Sequence, residues 1–127
     1  MSQRILEGIK VLDLTNVLSG PFTTLHLALL GAEVLKVENP IDGDLARKLG
    51  ILPELNKRLM GTSFIAQNCN KKSITLNTKS AEGKAILLRM AKDADVVVEN
   101  FRPGVMDRLG LGSKALAEIN PGLVYCA

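Results

Sequence analysis

Val11-Leu12-Asp13-Leu14-Thr15-Asn16-Val17-Leu18-Ser19-Gly20-Pro21-Phe22 is the stretch on which the reading of the fold turns. Val11, Leu12 and Leu14 are apolar and no breaker precedes Gly20, so the run is expected to begin as a strand over about residues 10–16. It is expected to end as a helix start. Pro21 at the first helical position would cost nothing, because that N–H has no intrahelical partner, and Ser19 or Gly20 could cap it. A buried strand turning straight into a helix aims free backbone N–H groups and the positive end of the helix dipole at one spot. That spot suits an anion such as a phosphate.

The rest of the chain repeats this strand-then-helix unit. A helix over about 21–30 carries Phe22, Leu25, Leu27, Ala28, Leu29 and Leu30 on nearly every side, as for a helix packed between a sheet and a further layer. Gly31 is a good C-cap, and Glu33–Glu38 follows as a second strand stopped by Asn39-Pro40. Asp42-Gly43-Asp44 is turn chemistry, Leu45 to Gly50 is read as a short helix, and Pro53 to Gly61 as a mobile connection. Ser73–Asn77 is a third strand, and Ser80 caps a helix reaching about Ala94, with Leu87, Met90, Ala91 and Ala94 on one face. Asp95–Asn100 is too uniformly apolar in its middle for a half-exposed strand and is expected to be a central parallel one.

A short helix then ends near Gly110, Ser113 is placed to cap another, and Leu123–Ala127 is a fifth strand. The alternation implies an α/β fold: a Rossmann-like open parallel sheet with right-handed crossovers and helices on both faces. Such sheets bind ligands at the carboxyl ends of their strands. A chain that stops inside a fifth strand is expected to be part of a longer enzyme.

Length and composition fit a single globular domain over residues 1–127, with 46% apolar and 23% charged residues. No apolar run approaches the ~20 residues that span a bilayer, so no membrane is expected as a partner. Met1–Arg4 leads directly into the fold without an evident signal peptide. Cys69 and Cys126 have no ligand-like spacing and are expected to be buried thiols in a reduced, cytoplasmic setting. The net charge of +3 forms no basic stripe, and one Tyr, three Phe and no Trp offer few stacking platforms, which argues against nucleic acid. Metal and redox cofactors are not suggested, and no permanently bound cofactor is expected.

Several short marks in a fixed order resemble a known family. They are Leu6–Leu14, the Ser19-Gly20-Pro21 turn, Leu30–Glu38, Asn70–Ile74, Val98–Gly104 and Arg108-Leu109-Gly110. Together they resemble the N-terminal portion of the family III CoA transferases (the CaiB/BaiF group), which includes formyl-CoA transferases and alpha-methylacyl-CoA racemases. The resemblance implies coenzyme A as substrate, held by Val17, Leu18 and Ser19, by Leu76 to Lys79, by Asn100, Phe101 and Arg102, and by Arg108. Formyl-CoA transferases carry an arginine just after the second strand where this chain has Asn39, so the nucleotide's phosphate would be held otherwise, by Arg47, Lys48 or Lys71. The family's nucleophile is an aspartate that corresponds to a position beyond Ala127, as do the histidine and aspartate of the racemase branch. The resemblance therefore implies no catalytic residue here, and Asp13, Asp93, Asp95 and Asp107 are read as structural. It also implies acyl-CoA and carboxylic acid substrates. An interlocked homodimer is expected when full length, or else pairing with a separately encoded remainder.

Read without the resemblance, the same residues keep plainer roles open. Arg108 and Arg102 can be solvated charges, Phe101 can close the core beneath its loop, and His26 can be a packing or surface histidine. Glu38 mimics the acidic residue that grips the ribose in dinucleotide enzymes, but the Leu18-Ser19-Gly20-Pro21 turn lacks the glycine fingerprint. Two classes stand: a CoA-handling enzyme portion, transferase or racemase, and a non-catalytic module for another nucleotide.

Overall fold

The computed structural model describes residues 4–127. Its elements run β1 (Lys10–Asp13), α1 (Ser19–Leu29), β2 (Glu33–Glu38), a 3-10 turn (Leu45–Lys48), α2 (Pro53–Lys57), α3 (Thr62–Asn68), β3 (Lys72–Thr75), α4 (Ala81–Lys92), β4 (Val96–Val98), α5 (Val105–Leu109), α6 (Ser113–Ile119) and β5 (Val124–Cys126). The five strands form one parallel sheet in the order β3-β2-β1-β4-β5. The first strand is thus the central one, in register with Val34 and Val96 through Val11.

Period-two alternation sorts the strand residues onto two faces. Leu12, Leu14, Val37 and Val97 pack with Leu87 and Ala91 of α4, Met106 of α5 and Leu116 of α6 into one apolar core. The opposite face begins in the same way, Val11, Val34 and Val98 meeting Ala28 of α1 and Ala32. Toward the carboxyl ends of the strands it changes character: Asp13, Lys36 and Glu38 are buried there.

The expected architecture is present, with the elements shorter or shifted. β1 stops at Asp13, whose carboxylate takes the Thr15 N–H away from the ladder, and α1 starts at Ser19, so Pro21 sits inside its first turn rather than at its first position. Neither Ser19 nor Gly20 caps α1; the cap position is Leu18, without a side-chain hydrogen bond. Gly31 follows the end of α1 at φ +111°, a left-handed turn suited to glycine that swings the chain directly into β2. Ser80 does cap α4, its hydroxyl accepting from Gly83 N–H, whereas Ser113 is the first residue of α6 and makes no cap bond. The stretch read as a connection holds α2, and α3 follows it, packed against α1. Helix α1 packs against the sheet and against α3, and its remaining side is open: Phe22 and Leu29, with Leu30 just after the helix, face out. Cys69 and Cys126 are exposed rather than buried, one at the open end of α3 and the other on the edge strand.

Candidate functional site

Parallel strands place all their carboxyl ends on one side. The segments after β1, β2, β3 and β4 therefore meet along one rim. Asn100, after β4, fastens it to the loop after β1: its Oδ1 accepts from Asn16 N–H and its Nδ2 donates to Asn16 O, both at 2.8 Å. Glu99 holds the next turn by accepting from Phe101 N–H at 2.7 Å, and Tyr125 Oη donates to the same carboxylate at 3.1 Å. Burial and the adjacent Glu99 charge push the Tyr125 hydroxyl well above its ordinary range, so it stays a donor. Between these segments lies a cleft of about 90 Å³, lined by Asn16, Asn39, Asn77, Thr78, Lys79 and Phe101 above Leu14, Val37 and Leu76.

Beneath the rim on the α1 side lies a layer of buried ion pairs. Asp13 is completely buried and accepts from Thr24 Oγ1 at 2.6 Å, from Thr15 N–H at 3.0 Å and from the Thr15 hydroxyl. Lys71 Nζ reaches it at 3.0 Å and also lies within 2.9 Å of Pro21 O, Thr24 Oγ1 and Asn68 Oδ1, so it ties β1 to α1 and α3. Burial lowers the Lys71 ammonium, and the Asp13 charge works against that shift. Lys36 Nζ lies 2.9 Å from Asp44 Oδ2 and donates to Thr15 O at 2.7 Å. Arg47 grips Glu38 through two bonds of 2.7 Å, with its guanidinium 3.7 Å from the centre of the Phe64 ring. Burial would raise the Glu38 carboxyl, but hydrogen bonds from Arg47, Ser73 Oγ and Asp44 N–H outweigh it and lower the group to about 2.

The structure brings some of the sequence-derived residues together and separates others. Leu76, Lys79 and Phe101 line the cleft, with Phe101 39% exposed at its mouth. Val17, Leu18 and Ser19 form the exposed bend next to it, where Val17 adopts φ +71°, a left-handed conformation costly for a β-branched residue. Asn100 lies on the rim with its amide engaged by Asn16. Arg102 and Arg108 are exposed and do not line the cleft, and among the described residues neither forms a salt bridge. Of the three groups considered for the nucleotide's phosphate, Arg47 is committed to Glu38 and Lys71 is buried against Asp13. Only Lys48 is half exposed, 4.0 Å from Asp42. Glu38 is likewise spent on Arg47, which removes it as a ribose ligand.

The sequence reading missed the roles of Asp13, Lys36, Asp44 and Lys71. A signal existed: Lys36 is a charge between Leu35 and Val37 in a strand with neighbours on both sides, and such a group is buried only if paired. Among the described residues no cluster of His, Cys, Asp and Glu is arranged to hold a metal, and no helix is long and apolar enough to cross a membrane.

Comparison with known proteins gives this rim a context. The chain is 49% identical over 128 residues to a formyl-CoA:oxalate CoA-transferase of Streptomyces coelicolor, a match covering 100% of this chain and 30% of the relative. Among solved structures, a hypothetical protein from Mycobacterium tuberculosis superposes with a TM-score of 0.86 at 43% identity, covering 97% of this chain and 32% of that one. A CaiB/BaiF family protein from Brucella suis superposes with a TM-score of 0.85 at 37% identity, covering 98% and 33%. The chain thus spans about 30% of the length of the curated relatives it matches. The family model described as CoA-transferase family III matches residues 6–127, and the chain belongs to that family.

Proposed function

We propose that this chain supplies the CoA-binding part of an enzyme that moves CoA between an acyl-CoA donor and a carboxylic acid acceptor. The observation that carries the reading is the rim itself. Four loops meet at the carboxyl ends of β1 to β4 beside the amino-terminal end of α1, the place where an open parallel sheet takes an anionic nucleotide. The likeness to formyl-CoA:oxalate CoA-transferases supports the substrate class. Val17, Leu18, Ser19, Leu76, Lys79, Asn100 and Phe101 are the proposed contacts at the cleft, and Arg102 and Arg108 reach the ligand from beyond it. Coenzyme A acts as substrate, not as a resident cofactor.

Calorimetric titration of CoA into the 127-residue chain tests the reading directly. Binding is expected, and Arg108→Ala should weaken it by about 1–3 kcal/mol, the cost of one charge-assisted hydrogen bond. Unchanged affinity in that variant removes Arg108 from the site; absence of binding by the parent chain removes the proposal. The nucleophile that the reaction needs is placed beyond this chain, so purified chain should exchange no acyl group between CoA donors and free carboxylates. Turnover by the chain alone would overturn that part. The outward-facing Phe22, Leu29 and Leu30 support a further expectation, that the chain self-associates or pairs with the remainder of such an enzyme. Light scattering over a dilution series checks it, and a stable monomer at all concentrations would count against it.

A further inference from the structure

Val17 combines two features that need an explanation: it is β-branched and exposed, yet its backbone is in the left-handed region at φ +71°. Its shape is imposed from beneath. Val17 N–H donates to Asp44 Oδ1 at 3.0 Å, across 27 residues of sequence. The side-chain amide of Gln67 faces two carbonyls, Val17 O at 2.7 Å and Leu18 O at 3.2 Å, which assigns its nitrogen to that side as the donor. The peptide groups on both sides of Val17 are therefore held.

Asp44 is itself fixed. Its side chain is fully buried, and the same Oδ1 accepts from Ala46 N–H at 2.9 Å to start the 3-10 turn. Its other oxygen lies 2.9 Å from Lys36 Nζ, which donates to Thr15 O, two residues before Val17. Its own N–H donates to Glu38 Oε2 at 3.0 Å, and Arg47 clamps that carboxylate. A turn-capping aspartate needs only the bond to Ala46; the reach to Val17 is additional.

We propose that Asp44 is a positioning residue for the rim: by accepting from Val17 N–H it holds the bend after β1 in the shape that presents Val17, Leu18 and Ser19 to ligand, without touching ligand itself. The proposal rests on the reading of the rim as a CoA site. It assigns a specific task to a buried acid that the sequence shows only as turn chemistry.

The test separates the Val17 bond from the ion pair by working in a Lys36→Met background, where no buried cation is left unpaired. Two chains are compared with wild type: Lys36→Met/Asp44→Asn and Lys36→Met/Asp44→Ala. Asparagine keeps an acceptor for Val17 N–H and alanine removes it. CoA affinity by calorimetry should stay within about threefold of wild type for the Asn variant and fall about tenfold or more for the Ala variant. Equal binding by the Asn and Ala variants, in chains whose circular dichroism shows them folded, would overturn the proposal. If wild-type chain binds no CoA, it is the rim reading that fails. The backbone coupling of the Val17 amide, measured by NMR, still reads Asp44's hold: loss of the left-handed conformation in the Ala variant alone supports it, and no change overturns it.

Discussion

The two faces of the one sheet are built on opposite terms. The face under α4, α5 and α6 is continuous hydrocarbon, with Leu12, Leu14, Val37 and Val97 meeting Leu87, Leu111 and Leu116. The face under α1 is hydrocarbon at Val11, Val34 and Val98; toward the rim β1 and β2 present Asp13, Lys36 and Glu38 instead, each paired. The first face is held by shape, which tolerates substitution in proportion to the volume lost. The second is held by pairing, which tolerates loss of both partners better than loss of one. The paired region holds the bend after β1, through Thr15 O and Val17 N–H, whereas the cleft beside that bend is floored by Leu14, Val37 and Leu76 of the apolar face.

The largest expected effect breaks a pair. Asp13→Ala strands the buried Lys71 ammonium and should cost about 3–5 kcal/mol in urea unfolding. Adding Lys71→Met should return much of that; if the double variant is no better, pairing is not what this face depends on. On the apolar face, Leu116→Ala removes a side chain that is 1% exposed and should cost about 3 kcal/mol, with no dependence on pH or salt. Salt-sensitive loss there would blur the distinction between the faces.

Acid sharpens the comparison from the other side. Glu38 titrates at about 2 in the folded chain against an ordinary 4.5, so the unfolded chain takes up its proton first as pH falls. The stabilisation is complete above about pH 5 and is lost as pH drops from 4.5 toward 2, an effect of roughly 3 kcal/mol at most. Glu38→Gln should flatten that part of the stability profile, while Leu116→Ala should shift the profile down without changing its shape. The smallest effect belongs to neither face: Ser80→Ala removes the cap of α4 and should cost about 1 kcal/mol, read as a shift in the urea midpoint.

The order of strands and helices was legible because apolar periodicity and stop signals are local. Val96-Val97-Val98 announces a covered strand, Gly31 a left-handed turn, and Ser80 a cap, each within a few residues of what it controls. The rim was legible for the same reason, since it follows from where parallel strands end. The paired layer was hidden because its partners are distant in sequence: Lys71 lies 58 residues from Asp13, and Asp44 lies 27 from Val17. Helix α3 was missed because Thr62–Asn68 shows little apolar periodicity of its own. Cys69 and Cys126 were misjudged because burial of a cysteine depends on the neighbouring element, and each sits where cover ends.

The central place of β1 has a consequence for how the chain comes together. Val11 pairs with Val34 on one side and with Val96, 85 residues later, on the other. On a ribosome adding about 5–20 residues per second, the β2 side of β1 can close within a second or a few, whereas the β4 side waits roughly 4–17 s. Throughout that interval one edge of the strand that becomes the middle of the sheet is open to any extended segment nearby. The order of synthesis therefore makes the completion of β4, and not the formation of the first strand-helix unit, the step that commits the chain to its fold.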